Sequence, residues 1–164
     1  MTLIVLAVIS ILSCSQSPQN EVNALIQKNV EKTLSHPESY EALQTVVDSA
    51  FAPFDDPAFF EKTLEICKMN IEEESDSLAA KIAERGQELI AMMGTEYRFI
   101  GYKVTHSYSA RDDEGVTFTG EKVYIMDKDM KNVLAEYDTD SMDYIMVQAM
   151  YILWRYETFY VLQK

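Results

Sequence analysis

Few residues in this chain are equipped for chemistry: two cysteines, two histidines and several short acidic runs. Cys14 closes an apolar stretch, whereas Cys67 lies among Phe60, Leu64 and Ile71 at helical spacing. That setting marks Cys67 as a small buried hydrophobe rather than a reactive thiol. His36 precedes Pro37 in a turn and reads as exposed. His106 alternates with Tyr102 and Tyr108 along one strand face, so the three either line a ligand-binding cleft or form half-exposed sheet surface. Asp112-Asp113-Glu114 and Asp127-Lys128-Asp129 offer carboxylates, but the second run lacks the glycine and terminal glutamate of an EF-hand loop. Turn-forming aspartates are the expectation there, and no metal site is expected. Glu72-Glu73-Glu74 reads as a solvated helix face or an acidic docking patch. GxSxG, HExxH, Walker-type, GxGxxG and paired CxxC patterns are all absent, so neither a catalytic set nor a cofactor is expected.

The elements that position these residues follow from periodicity. Residues 21–35 carry Val22, Leu25, Ile26, Val30 and Leu34 at a spacing near 3.6, which predicts a helix. It should stop before His36-Pro37, because the residue preceding proline is pushed out of the α region. A strand is expected over 42–47, with a short helical turn as the alternative. The stripe Phe60, Leu64, Cys67, Ile71, Ser75, Leu78, Ile82, Gly86, Leu89 and Met93 predicts one long helix, with Asp55 or Asp56 capping it before Pro57 and a restart near Asp76-Ser77 as the alternative. After Gly94 the period changes to two. Strands carrying Ile100 to Tyr108, Val116 to Ile125 and residues 132–137 are joined by aspartate-rich turns, which is an antiparallel meander. Residues 141–164 are apolar and aromatic and predict a C-terminal helix, with a strand as the alternative. The expected fold class is α+β, with an antiparallel meander of three to four strands packed against helices that lie on one of its faces.

The first residues carry an address. An apolar run over 3–12 stops at Ser13-Cys14, and Ser15, Gln16, Ser17, Pro18, Gln19 and Asn20 follow. A membrane-spanning helix needs about 20 apolar residues; this run is shorter and fits the hydrophobic region of a signal peptide, lipidated or ordinary, with a buried apolar N-terminal strand as the alternative. Ile11-Leu12-Ser13-Cys14 resembles the lipobox of bacterial lipoproteins. The resemblance implies that residues 1–13 are removed, that Cys14 is lipidated, and that 14–20 tether a single domain over 21–164. More broadly, Ile11 to Cys14, His36-Pro37-Glu38-Ser39-Tyr40, and Gly101-Tyr102-Lys103-Val104-Thr105-His106 with Asp127-Lys128-Asp129 resemble small uncharacterised lipoproteins of Gram-negative bacterial envelopes. That group implies a location in the bacterial cell envelope, on the lipid bilayer through a covalent anchor, and supplies no activity to carry over.

Charge narrows the partners. With 27 acidic and 14 basic residues the net charge is −13. Such a surface repels nucleic acid and has no counterion release to gain from it. It equally disfavours adhesion to anionic lipid, so a covalent anchor is the natural route to a membrane. The expected function is a non-enzymatic envelope lipoprotein that presents a protein-binding or scaffolding domain. The alternatives are an inhibitor or immunity-type protein using its acidic face against a basic enzyme, and a small-ligand binder with a pocket near Tyr102, His106 and Tyr108.

Overall fold

The computed structural model describes residues 18–72, 76–94 and 97–161. Residues 1–17, Cys14 among them, and the side chains of Glu72 to Glu74 lie outside the described residues. The elements in order are α1 (Pro18–Glu31), β1 (His36–Ala52), α2 (Pro57–Glu72), α3 (Asp76–Met93), β2 (Arg98–Arg111), β3 (Thr117–Met126), β4 (Val133–Asp138) and α4 (Met142–Val161). The fold is α+β: one antiparallel sheet in the order β1-β2-β3-β4, packed against helices.

The meander corners are built by the predicted aspartates. Asp112 Oδ1 accepts the backbone N–H groups of Glu114 and Val116, and Gly115 takes the left-handed φ of +78° that the turn requires. Asp127 Oδ1 accepts the Lys131 N–H at 2.8 Å, and its Oδ2 accepts the Asn132 side-chain amide at 2.6 Å. These bonds, the Asn132 side chain foremost, hold the Asp127 carboxyl below its ordinary pKa. Met130 completes that turn at φ +57° and packs against the core beneath α1. Local hydrogen bonding thus engages Asp112 and Asp127 within their own turns.

Two expectations at the start of the domain shift. The first helix begins at Pro18, three residues earlier than its periodicity indicates, because proline suits the first helical position. β1 is far longer than residues 42–47. It is an edge strand, with Leu43 and Val46 exposed and three register shifts against β2. An edge strand buries little of either face, so its alternation is diluted and only the middle was legible.

The long helix expected over 59–93 is instead two helices, α2 and α3, on either side of residues 73–75. Lys62 and Glu88 form a 2.7 Å ion pair, and Arg85 pairs with both Glu88 and Glu65. In one continuous helix, 26 residues would separate Lys62 from Glu88 by about 39 Å. The two helices therefore lie side by side, and the single stripe of apolar residues is folded back on itself. Asp56 caps α2, its Oδ1 accepting the Ala58 N–H.

Helices cover both faces of the sheet, not one. On one face Val22, Ile26 and Val30 of α1 pack with Val104, Tyr108, Ala110, Tyr124 and Met126. On the other, Phe59 and Phe60 of α2, Leu89 of α3, and Val147 and Tyr151 of α4 form a second core that Tyr137 of β4 joins. The reason lies in β3, where Val123, Tyr124, Ile125 and Met126 are all buried, so both faces of the strand need a cover.

The sheet has two ends. One holds the 112–116 turn, the start of β1 and the end of β4. The other holds the 127–132 turn, the end of β1 and the start of β2. Residues 32–35 join α1 to the start of β1, and Lys122 Nζ reaches Thr33 Oγ1 at 3.5 Å. From that junction α1 lies back along the sheet, so its first residue points toward the end with the 127–132 turn. α4 runs toward the same end: Tyr144 meets Tyr137, and a few turns later Arg155 lies over the Phe54 ring, just past β1.

Candidate functional site

The candidate histidine sits in a polar row that crosses the sheet. Register places Thr45 opposite His106, His106 opposite Lys122, and Lys122 opposite Asp138. His106 is 2% exposed. Its Nε2 lies 2.8 Å from the Tyr40 hydroxyl and its Nδ1 lies 2.9 Å from Thr45 Oγ1. Each hydroxyl can donate or accept, so a neutral imidazole is satisfied at both nitrogens in either tautomer. Burial pushes the His106 pKa down, which keeps the ring neutral. Burial pushes the Tyr40 phenol up, with the Glu31 charge adding to it.

Around the imidazole the rings form a stack. His106 and Tyr108 are nearly parallel with centroids 6.1 Å apart, and Tyr40 lies 6.1 Å from His106 and 6.0 Å from Tyr108. Lys122, itself buried, donates to Glu136 and to Thr33. The hydroxyl of Tyr124, in the same core, is buried without a hydrogen-bond partner among the described residues.

Of the three residues expected to line a cleft, the structure brings two together. His106 and Tyr108 are stacked, but both face the packed interior under α1 and Tyr40. Tyr102 lies six residues away along β2, about 20 Å from Tyr108, and touches Phe99 edge-on. A substrate reaching His106 would have to displace Tyr40 and break a hydrogen bond. The arrangement can tie β1 to β2 and can sense protonation; it offers no open site for general-base work.

A second group of polar side chains lies on the opposite face. Asp55 Oδ1 accepts from Lys103 Nζ at 3.0 Å, and its Oδ2 accepts the Phe51 N–H at 2.8 Å. They line a cleft with Phe60, Tyr137, Tyr144 and Tyr151, whose volume is about 100 Å³. Burial drives the Tyr151 phenol well above its ordinary range, with the neighbouring Thr63 hydroxyl opposing the shift. Sites for drug-sized ligands occupy about 300–1,000 Å³, so this cleft accommodates a few waters and not a metabolite.

The sequence assigns no site role to Tyr40, Lys122, Asp55 or Lys103, Asp55 entering only as a candidate helix cap. One signal was available for Lys122: it stands two residues before Tyr124, so strand alternation puts both on the buried face. Nothing local marks Tyr40 or Asp55, whose partners are 66 and 48 residues away. Cys67 is half-buried, and burial pushes its thiol pKa up, away from reactivity.

No protein family, curated protein or solved structure matches this chain. Among the described residues no helix is long and apolar enough to cross a membrane.

Proposed function

We propose that this chain is a bacterial envelope lipoprotein, anchored to the bilayer through lipid on Cys14, that presents a non-enzymatic protein-binding or scaffolding domain. The observation that carries the reading is the apolar run over 3–12 ending in Ile11-Leu12-Ser13-Cys14. The domain supports it in two ways. α1 starts four residues after Cys14, which suits a short tether. Both ring nitrogens of His106 are engaged inside the core, so this histidine is not an open base beside a cleft. Several acyl chains, each buried CH₂ contributing about 0.8 kcal/mol, hold such a domain on a membrane durably.

Mass spectrometry of the mature amino terminus tests the anchor: a lipid-modified Cys14 is expected, and an unmodified terminus overturns it. Crosslinking in the intact envelope tests the binding role. A reproducible protein partner is expected, and none across repeated captures counts against the role.

Charge placement favours a second reading, an inhibitor or immunity-type protein. Glu41, Asp112, Asp113, Glu114, Asp138 and Asp140 gather at one end of the sheet, and all but Asp112 are exposed. That reading requires salt-sensitive binding to a basic enzyme; salt-independent association rejects it.

A further inference from the structure

We propose that the end of the sheet carrying the 127–132 turn is a membrane-contact surface, seated on the bilayer in which Cys14 is anchored. The inference rests on the Cys14 anchor and adds to it which side of the domain meets lipid.

Chain length sets the distance. Four residues from Cys14 to Pro18 span at most about 14 Å. α1 begins at Pro18, and its first residue points toward this end, so this end stays within that reach of the lipid headgroups. β2 has 14 residues, so the opposite end lies about 45 Å further along the strands.

The composition of this end suits an interface. Tyr97 is 70% exposed and stacks on Phe51 with centroids 4.7 Å apart, and Phe51 meets Phe99 edge-on. Tyrosine and its amphipathic relatives are enriched at headgroup depth, where an apolar body and a polar tip are both accommodated. Beside them, the final turns of α3 and the later part of α4 expose Ile90, Ile152 and Leu153, which no other described element covers. Lys128 lies 5.9 Å over the Phe99 ring, and Arg98 and Lys131 are exposed nearby.

Charge differs between the two ends. Glu41, Asp113, Glu114, Asp138 and Asp140 form an exposed acidic cluster at the far end, whereas the near end mixes Arg98, Lys128 and Lys131 with Asp48 and Asp129. At about 8 Å, the Debye length in physiological salt is a small fraction of the sheet's length. The acidic end is therefore screened from anionic headgroups, while at the near end Arg98, Lys128 and Lys131 offset Asp48 and Asp129. A net charge of −13 disfavours adhesion of the molecule as a whole, and not of this end.

The test uses the lipidated full-length protein with Cys67→Ala, reconstituted in vesicles of phosphatidylethanolamine and phosphatidylglycerol. Single spin-labelled cysteines replace Tyr97, Lys128 or Leu153 at the near end, and Glu114 or Asp140 at the far end. Collision rates are read with oxygen, which concentrates in lipid, and with a water-soluble nickel complex. The expected result is a several-fold higher oxygen-to-nickel ratio at the near sites than at the far ones, with Lys128 shallowest. Equal ratios in a protein whose Cys14 carries lipid overturn the contact surface and leave the anchor standing. An unmodified Cys14 removes the anchor and the inference with it. Dipolar broadening between labels on different copies that persists in detergent assigns the surface to self-association and also overturns the inference. Because Tyr97→Cys loses a ring stack, thermal melts of each variant accompany the measurement, and Lys128 and Leu153 alone suffice for the comparison.

Discussion

The Tyr108 ring lies across the backbone of Gly120, its partner in the β2–β3 register. A Cβ at position 120 would stand 2.7 Å from the Tyr108 ring ζ carbon and hydroxyl. A glycine in a strand interior is unfavourable for the backbone, and here the covering aromatic ring takes the place of its missing side chain. Tyr108 cannot easily yield, since Tyr40, His106 and Phe118 surround it.

Gly120→Ala is therefore expected to destabilise the fold by about 1–3 kcal/mol, the usual cost of overpacking. Ordinary strand propensity predicts the opposite sign. Urea denaturation of the two proteins decides it, and an alanine variant as stable as the parent would show that the ring moves freely.

Stability should fall in mildly acid solution because of His106. Its folded pKa is depressed by burial, so the unfolded chain binds a proton more readily than the native state. The stabilisation is complete above the ordinary imidazole value of about 6.5 and is lost as pH falls from there toward the depressed folded value. Denaturation midpoints between pH 7.5 and 5.5 should decline in the parent. In His106→Gln, which has no titrating ring, that slope should flatten; an unchanged slope assigns it to other groups.

Lys122 and Glu136 should respond unequally to loss of their partner. The Lys122 side chain is 11% exposed and that of Glu136 31%. Glu136→Ala leaves a buried ammonium with only the Thr33 hydroxyl, at an expected cost of about 2–3 kcal/mol. Lys122→Met leaves a carboxylate that water can reach and is expected to cost less than about 1 kcal/mol. Equal losses in paired denaturation curves would mean that the pair is solvated as a unit.

The α2–α3 hairpin can be tested by bridging. A zero-length carbodiimide should join the Lys62 amine to the Glu88 carboxylate as an amide with loss of one water, detected as a crosslinked peptide pair after proteolysis. Lys62→Arg, which removes the reactive amine, should give no such pair. Absence of the crosslink in the parent protein would count against the side-by-side helices.

Much of the fold was legible because its signals are local. The meander follows from alternation along β2 and β3 and from aspartates that bond to backbone groups within a few residues. The cap at Asp56 is read in the same way. The α2–α3 fold-back was not legible, since an apolar stripe at helical spacing is the same whether it packs on another element or on its own continuation. The candidate site suffered for a related reason. Alternation put His106 on a shared face with Tyr108, but whether that face is a cleft or a core depends on α1 and on Tyr40, 66 residues distant.

By itself the sequence determined the class of fold and the turns, which depend on residues close together in the chain. Only the tertiary structure decided that both faces of the sheet are covered and that His106 is sealed beneath a tyrosine. It also decided that α1 and α4 point to one end while Glu41, Asp113, Glu114, Asp138 and Asp140 cluster at the other. Those outcomes depend on which apolar surfaces meet across long separations, and burial is non-directional: a pattern states that a face must be covered, and only packing selects what covers it.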